Sequence, residues 1–347
     1  MSAPESRSGG ASPNPLWSLI TGYMPARVVH VAAELGIADL LATEAKTADT
    51  LARETNTASM PLRRLLRALA SMGLVEEVEP GGFALTAAGS QLRSDVPGSM
   101  RNVALMFGGE RAWRSWGELV HCVRTGESGT RRVYGVGTFE YLAANPAQAA
   151  IFNGAMAENT RRVTELLVSA YDFSQFRRIV DVGGGDGTLM VAILAANAAV
   201  RGMVFDLPSG LAQAPQKLAD AGVSARCETI AGDFFHSVPE AIDGYILKYV
   251  IHDWDDEQSV AILSNCREAM HRTSKIVLIE RIMPERMEAT PIHQRIALAD
   301  MNMLAMPGGQ ERTEREYRNL FAAAGLVLER TIALPGSEIS VIEAKRG

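Results

Sequence analysis

Apolar positions along the first hundred residues predict a small helical unit with a hairpin. Val28, Val29, Val31, Leu35, Ile37, Leu40 and Leu41 make Trp17 to Leu41 strongly apolar and helical, and a second helix is expected from Thr47 to about Glu54. A third follows Ser59, read as its N-cap, with Pro61 in the first turn. Its apolar residues Leu62, Leu65, Leu66, Leu69 and Met72 fall on one helical face. Leu74 to Val78, a Pro80-Gly81-Gly82 turn and Phe83 to Thr86 then read as a β-hairpin, so this part predicts a winged helix. Helices are expected over Trp113 to Val123, Thr138 to Leu142 and Pro146 to Val168.

Beyond Tyr171 the pattern changes to short β-branched runs separated by helices. Arg178 to Val182, Met203 to Phe205, Cys227 to Ile230, Tyr245 to Leu247 and Ile276 to Ile279 read as strands of an α/β, Rossmann-like sheet. Leu326 to Leu334, the turn Pro335-Gly336 and Ser340 to Ala344 close it as an antiparallel hairpin. Met1 to Pro13, rich in Ser, Gly and Pro, is expected to be a disordered tail. The resulting division is a tail at 1–13, a winged-helix-like domain at 14–105, a helical connector at 106–170 and the sheet domain at 171–347.

The first strand of the sheet enters Asp181-Val182-Gly183-Gly184-Gly185-Asp186-Gly187-Thr188, ahead of a helix expected from Leu189 to Val200. Glycines there let a ligand approach the backbone, and the helix N-terminus presents amides as donors. A dinucleotide fingerprint would place a third glycine where Thr188 stands, and here the acid precedes the glycines. Asp181, Gly183, Gly185 and Gly187 spell acid-x-Gly-x-Gly-x-Gly, which resembles motif I of the S-adenosylmethionine (SAM) methyltransferases. Asp206 closes the second strand about 20 residues on, where an acid accepts from both ribose hydroxyls. Asp233 follows the third strand, placed for an adenine amino group, and Phe234 for the adenine face.

The fourth strand runs into Leu247-Lys248-Tyr249-Val250-Ile251-His252-Asp253-Trp254-Asp255-Asp256. L-K-x-x-x-H-D-W-x-D is the signature of the plant-type O-methyltransferases and their bacterial relatives. The resemblance covers nearly the whole chain, from the winged helix through Val204-Phe205-Asp206-Leu207-Pro208 to Gly308-Gly309-Gln310-Glu311-Arg312-Thr313. It implies a seven-stranded class I methyltransferase sheet, SAM as cofactor with S-adenosylhomocysteine as product, no metal, and a homodimer built by the winged helix. His252 would be the general base, flanked by Glu280 and Glu311. Lys248, Leu207 and Thr160 would join Asp181, Gly183, Gly185, Asp206, Asp233 and Phe234 around the cofactor. Met156, Asp253, Asn302, Met303 and Met306 would meet the acceptor, with Met283, Met287 and Met301 on neighbouring segments.

A base suits this chemistry. A phenol with pKa near 10 is a poor nucleophile at pH 7, and an imidazole can take its proton during attack on a sulfonium methyl. Asp255 or Asp256 is read as a helix cap and not as a metal ligand, and the other histidines lack ligand spacing. Met306 stands where plant members often carry asparagine, in a loop one residue shorter, which turns the expectation from phenylpropanoids to an aromatic secondary metabolite such as a polyketide, quinone or phenazine.

Composition narrows the alternatives. The 347 residues carry a net charge of -6, which argues against nucleic-acid and anionic-membrane partners. With no basic-apolar leader and no run of 18 apolar residues, a cytoplasmic protein is expected. Cys122, Cys227 and Cys266 are scattered and indicate neither disulfides nor zinc. Alanine abundance with only five lysines fits a GC-rich bacterial genome. A DNA-binding regulator that senses SAM stays open through Arg63, Arg64 and Arg67, but Glu76, Glu77 and Glu79 on the wing would repel phosphate. A third reading keeps the fold and SAM but performs other chemistry, such as hydroxylation. The intact His252, Glu280 and Glu311 count against it.

Overall fold

The computed structural model describes residues 14–79 and 81–347, so the expected tail and Pro80 lie outside the described residues. The chain divides into two compact units at Gly108.

In the first unit the apolar stretch expected as one helix is three: α1 (Pro15–Thr21), α2 (Tyr23–Glu34) and α3 (Ile37–Leu40). Gly36, at φ 66°, adopts the left-handed conformation that stops a helix, and the chain re-enters at Ile37. Thr47 caps α4 (Ala48–Glu54), its hydroxyl accepting from the Thr50 amide. The third expected helix is α5 (Ser59–Ser71), but Ser59 is its first residue and not its cap. Ala58 holds the cap position without a side-chain bond, and the Ser59 hydroxyl is drawn to the carboxylate of Asp49. The hairpin forms from β2 (Val75–Glu79) and β3 (Gly82–Leu85), and β1 (Lys46–Thr47) adds a third strand in the order β1-β3-β2. Leu51, Leu62, Leu66, Leu69, Val75 and Phe83 fill its core. Arg63 of the would-be recognition helix stands 4.0 Å from Glu77 of the wing, so an acid already faces one of the three arginines. The unit ends with α6 (Arg101–Gly108).

The second unit opens with short helices, α7 (Glu110–Gly117), α8 (Leu119–Thr125), α9 (Gly129–Tyr134) and α10 (Thr138–Ala144), then the long α11 (Pro146–Ala170). The helix expected over Trp113 to Val123 is thus broken at Glu118. Strand and helix then alternate: β4 (Arg178–Val182), α12 (Thr188–Ala196), β5 (Arg201–Asp206), α13 (Ala214–Asp220), β6 (Cys227–Ala231), β7 (Gly244–Lys248), α14 (Asp256–Ala269) and β8 (Lys275–Arg281). α15 (Pro291–Ala305), α16 (Glu314–Ala323), β9 (Leu326–Ala333) and β10 (Ile339–Arg346) complete the unit.

The seven strands lie in the order β6-β5-β4-β7-β8-β10-β9. All pairs are parallel except those of β10, which runs antiparallel to β8 and β9. Ile179, Val180, Tyr245, Ile246, Ile276 and Val277 are buried on both faces of the central strands, as their continuous apolar runs require. Successive strands of this half lie in register, with Asp181 beside Val204 and Ile246, and Lys248 beside Ile279. Their carboxyl ends therefore form one rim. β4 is where the strand order reverses, and open α/β sheets bind ligands in the crevice at that point.

Candidate active site

The glycine turn after β4 occupies that crevice. Gly183, Gly185 and Gly187 have φ of 74°, 56° and 78°, a sequence of left-handed residues that side chains would strain. The amides of Gly183 and Gly184 donate to the Phe205 carbonyl at 2.8 and 3.2 Å, and Gly185 N donates to Asp206 Oδ2 at 2.8 Å. Turn and acid are thus tied together. Asp206 Oδ1 also accepts from the Leu207 amide at 2.6 Å, while the Leu207 side chain is exposed.

Asp181, next to last in β4, and Lys248, the last residue of β7, lie on adjacent strands beneath the turn. Burial pushes the Asp181 carboxyl up to about 7, against the pull of Lys248. Burial pushes the Lys248 ammonium down to about 7, against Asp181 and Glu280. The pair is therefore poised to change charge when an ionic ligand arrives. Asp233 accepts from the Phe235 amide at 2.9 Å, and Phe234 packs edge-on against Trp254 with centroids 6.1 Å apart. Thr160 donates to the Met156 carbonyl at 2.8 Å, one turn back along α11.

These residues fit SAM. A Cβ on Gly185 would point into open space, with no heavy atom within 4 Å, so the bare turn leaves room for a ligand against its backbone. Around it Asp206 would suit a ribose diol, Asp233 an exocyclic amine, and the buried Asp181 and Lys248 an amino acid's two charges. When bound, SAM supplies an electrophilic methyl on a sulfonium.

Next along the rim, β7 leads through Tyr249, at φ 54°, into a short turn carrying His252. Imidazole Nδ1 lies 3.0 Å from Glu311 Oε1 and 3.5 Å from Glu280 Oε2. Nδ1 is hydrogen-bonded to Glu311, with Glu280 Oε2 near it but outside hydrogen-bond geometry, and Nε2 lies 3.7 Å from Asp253 Oδ1. Burial alone would lower the imidazole pKa, but Glu280, Glu311 and Asp253 outweigh it and push it up to about 9. Burial pushes Asp253 up to about 7. For Glu311, burial is outweighed by His252 and Arg281, which hold its carboxyl below the usual range.

The two glutamates have different tasks. Glu280 Oε1 accepts from the backbone amides of Val250, Ile251 and His252 at 3.1, 3.0 and 3.4 Å, so it holds the turn as well as the ring. Glu311 Oε1 is also bound by Arg281 Nη1 at 3.0 Å. The donor atoms of His252, Glu280 and Glu311 lie within 4.8 Å of one another, a spacing that could hold a cation. Arg281 already supplies positive charge to Glu311, and the glutamates' Oε1 atoms already accept hydrogen bonds.

Several contributors were not picked out from the sequence. The Tyr249 ring stacks on the imidazole, and Lys248 Nζ lies 3.9 Å from its centroid. Arg312, only 1% exposed, donates to the carbonyls of Ile251 and Trp254 at 3.1 and 2.9 Å and to Asp256. It clamps the His252 turn from behind. A Cβ on Gly309 would come within 2.0 Å of the His252 carbonyl oxygen, so only glycine allows this loop to lie against the turn. Arg312 and Gly309 do belong to the quoted Gly308–Thr313 string, whose glycines and lone arginine were the available signal. Of the two candidate caps of α14, Asp255 caps, accepting from Gln258 N at 2.8 Å, while Asp256 receives Arg312.

Among the residues expected to meet the acceptor, Asn302 Oδ1 accepts from Trp116 Nε1 at 3.1 Å. Met303 and Met306 are buried, and Met306 packs with Ala112 and Ala305. The Met306 carbonyl accepts from Thr138 at 2.8 Å, which ties α10 to this loop, and Phe139 of α10 stacks on Trp254 at 5.2 Å. Met156 is half-buried on α11, whereas Met287 is exposed.

The sequence matches an O-methyltransferase domain over residues 116–327 and an O-methyltransferase dimerisation domain over residues 17–95. It is 42% identical over 343 residues to the phenazine O-methyltransferase PhzM of Lysobacter antibioticus, covering 98% of this chain and 99% of that one. The fold superposes on the crystal structure of LaPhzM with a TM-score of 0.91 at 42% identity, covering 96% of this chain and 98% of that one. It superposes on the O-methyltransferase NcsB1 from neocarzinostatin biosynthesis, solved with SAM and 2-hydroxy-5-methyl naphthoic acid, with a TM-score of 0.81 at 31% identity, covering 98% and 100%. With a domain match over more than half its length and a relative this similar end to end, the chain belongs to the SAM-dependent O-methyltransferases that carry a dimerisation domain.

Proposed function

We propose that the protein methylates a hydroxyl of an aromatic small molecule of bacterial secondary metabolism, with His252 as general base. The observation that carries this is the imidazole itself: its Nδ1 is held by Glu311 and approached by Glu280, and Nε2 is left to take a proton. A base with pKa about 9 nearly matches a phenol near 10, where proton transfer during attack is most effective. The remaining task is positioning, because the sulfonium methyl is already activated. Asp181, Gly183, Gly185, Asp206, Leu207, Asp233, Phe234, Lys248 and Thr160 hold the cofactor in this reading. Met156, Asp253, Asn302, Met303 and Met306 hold the acceptor.

The aromatic class draws support from relatives whose names specify a phenazine and a naphthoic acid. Residues 14–105 build a homodimer in this proposal. The dimerisation-domain match supports it, as do the exposed Leu16, Trp17, Leu19, Ile20, Tyr23 and Met24 on α1 and α2. Residues 106–170 serve as the acceptor-side connector and 171–347 as the catalytic domain. No helix among the described residues is long and apolar enough to cross a membrane, which fits the cytoplasm.

The test is methyl transfer from labelled SAM to a panel of phenols, naphthols and hydroxyphenazines. Failure of every member, with SAM binding intact, would refute the function. Light scattering that gave the single-chain mass of 37.4 kDa at micromolar concentration would refute the dimer.

A further inference from the structure

Arg111, in the first turn of α7, is buried, with 6% of its surface exposed, and has no acid to answer it. Its Nη1 is buried without a hydrogen-bond partner, and none of the described residues forms an ion pair with it. The nearest acid in sequence, Glu110, is paired instead with Arg114 at 3.3 Å. Burial lowers the guanidinium pKa, yet an arginine remains charged in proteins. A buried, unpaired charge is costly, and proteins keep one where something negative completes it.

The surroundings can donate as well. The guanidinium is within electrostatic reach of the phenols of Tyr134 and Tyr141, whose rings lie 4.6 Å apart. The same helix borders the acceptor side: Ala112, the next residue, packs on Met306, and Trp116 donates to Asn302. The guanidinium has no carboxylate beside it, and it and the two phenol O–H groups can all donate to a planar oxyanion.

We infer that Arg111, with Tyr134 and Tyr141, binds a carboxylate carried by the acceptor, so that the substrate is an aromatic hydroxy acid. This rests on the methyl-transfer reading above and specifies its substrate class. The carboxylate anchors the ring while a separate hydroxyl is presented to His252.

The probes are matched pairs of aromatic hydroxy acids and their primary carboxamides, among them 3-hydroxy-2-naphthoic acid and 4-hydroxybenzoic acid, titrated into protein saturated with S-adenosylhomocysteine. At least one acid is expected to bind about tenfold or more tighter than its amide, the scale of one charge-assisted pair. In Arg111→Gln that ratio should fall towards one, with S-adenosylhomocysteine binding retained as the sign of folded protein, and Arg111→Lys should recover part of it. Should Arg111→Gln fail to fold, the ratio in Tyr141→Phe decides, and it must drop. No acid preferred over its amide, no acid bound at all, or a preference that survives the substitution would overturn the inference. Turnover of neutral phenols without acid preference would overturn it while leaving methyl transfer standing; no turnover of any phenol would remove the reading beneath it.

Discussion

The ring of Tyr249 lies parallel to the imidazole of His252, at 8° between planes and 5.0 Å between centroids. It reaches that place through a left-handed backbone that a non-glycine residue rarely adopts. Arg281 lies 4.7 Å from the same ring, so the cations and the imidazole share one aromatic ring. Tyr249→Phe keeps the stack and should retain most activity. Tyr249→Leu should lower kcat about 3- to 10-fold, the scale of one aromatic contact. Steady-state kinetics on a verified acceptor check this, and equal rates for both variants would show that the stack contributes nothing to the base.

His252→Ala should lower kcat by roughly 10² to 10⁴ fold with SAM affinity little changed, the usual contribution of a positioned general base. In the proposed role the neutral imidazole is the active form, and its pKa is raised to about 9. Activity limited by free enzyme should therefore rise with pH from 7 and level off near pH 9. A kcat/KM profile that is flat from pH 7 to 9 would contradict this. The loss in His252→Ala should shrink as pH approaches the acceptor's own pKa.

Glu311→Gln and Glu280→Gln each remove negative charge that favours the imidazolium, so each should move the acidic limb of that profile to lower pH. Both should cost less in kcat than losing His252. Glu280→Gln should also loosen the turn, because Oε1 receives its three backbone amides, and hydrogen exchange at Val250 and Ile251 should quicken. An unmoved limb in Glu311→Gln would mean that the shortest contact to Nδ1 carries no electrostatic weight.

Asp206→Ala should weaken SAM binding by about 1 to 3 kcal/mol, the scale of lost hydrogen bonds to a charged group. It also frees the Gly185 amide, so part of the loss should appear as a softer glycine turn. Calorimetry with SAM, S-adenosylhomocysteine and NAD checks both cofactor identity and magnitude; binding of NAD alone would sink the cofactor assignment.

What the sequence made legible was local. Strands closing at or within a residue of Val182, Asp206 and Leu247 followed from apolar runs meeting an ionic residue or a glycine, and the glycine spacing excluded a dinucleotide turn. Helix boundaries suffered where an apolar stretch hid a stop at Gly36, and where Ser59 could satisfy itself on Asp49 instead of capping. Long-range pairing was beyond reach. Glu280 meets the 250–252 amides only because β7 and β8 are adjacent and in register, and Arg312 reaches Ile251 across 61 residues of chain. Neither relation leaves a trace in spacing.

Gly309 and Arg312 press on the back of the His252 turn, while Met303, in the last turn of α15, and Met306, just past its end, lie a few residues earlier in the chain. Under the proposed roles, front and back of this short segment are separable in heredity: changes at the methionines would alter what is accepted without touching the residues that seat His252. Any mutation of Gly309 adds a side chain where a carbonyl already stands, so that position offers no neutral step. Under those roles a lineage can drift in acceptor through this segment only on its methionine side. Directed evolution for new acceptors should recover substitutions at 303 and 306 while position 309 stays glycine.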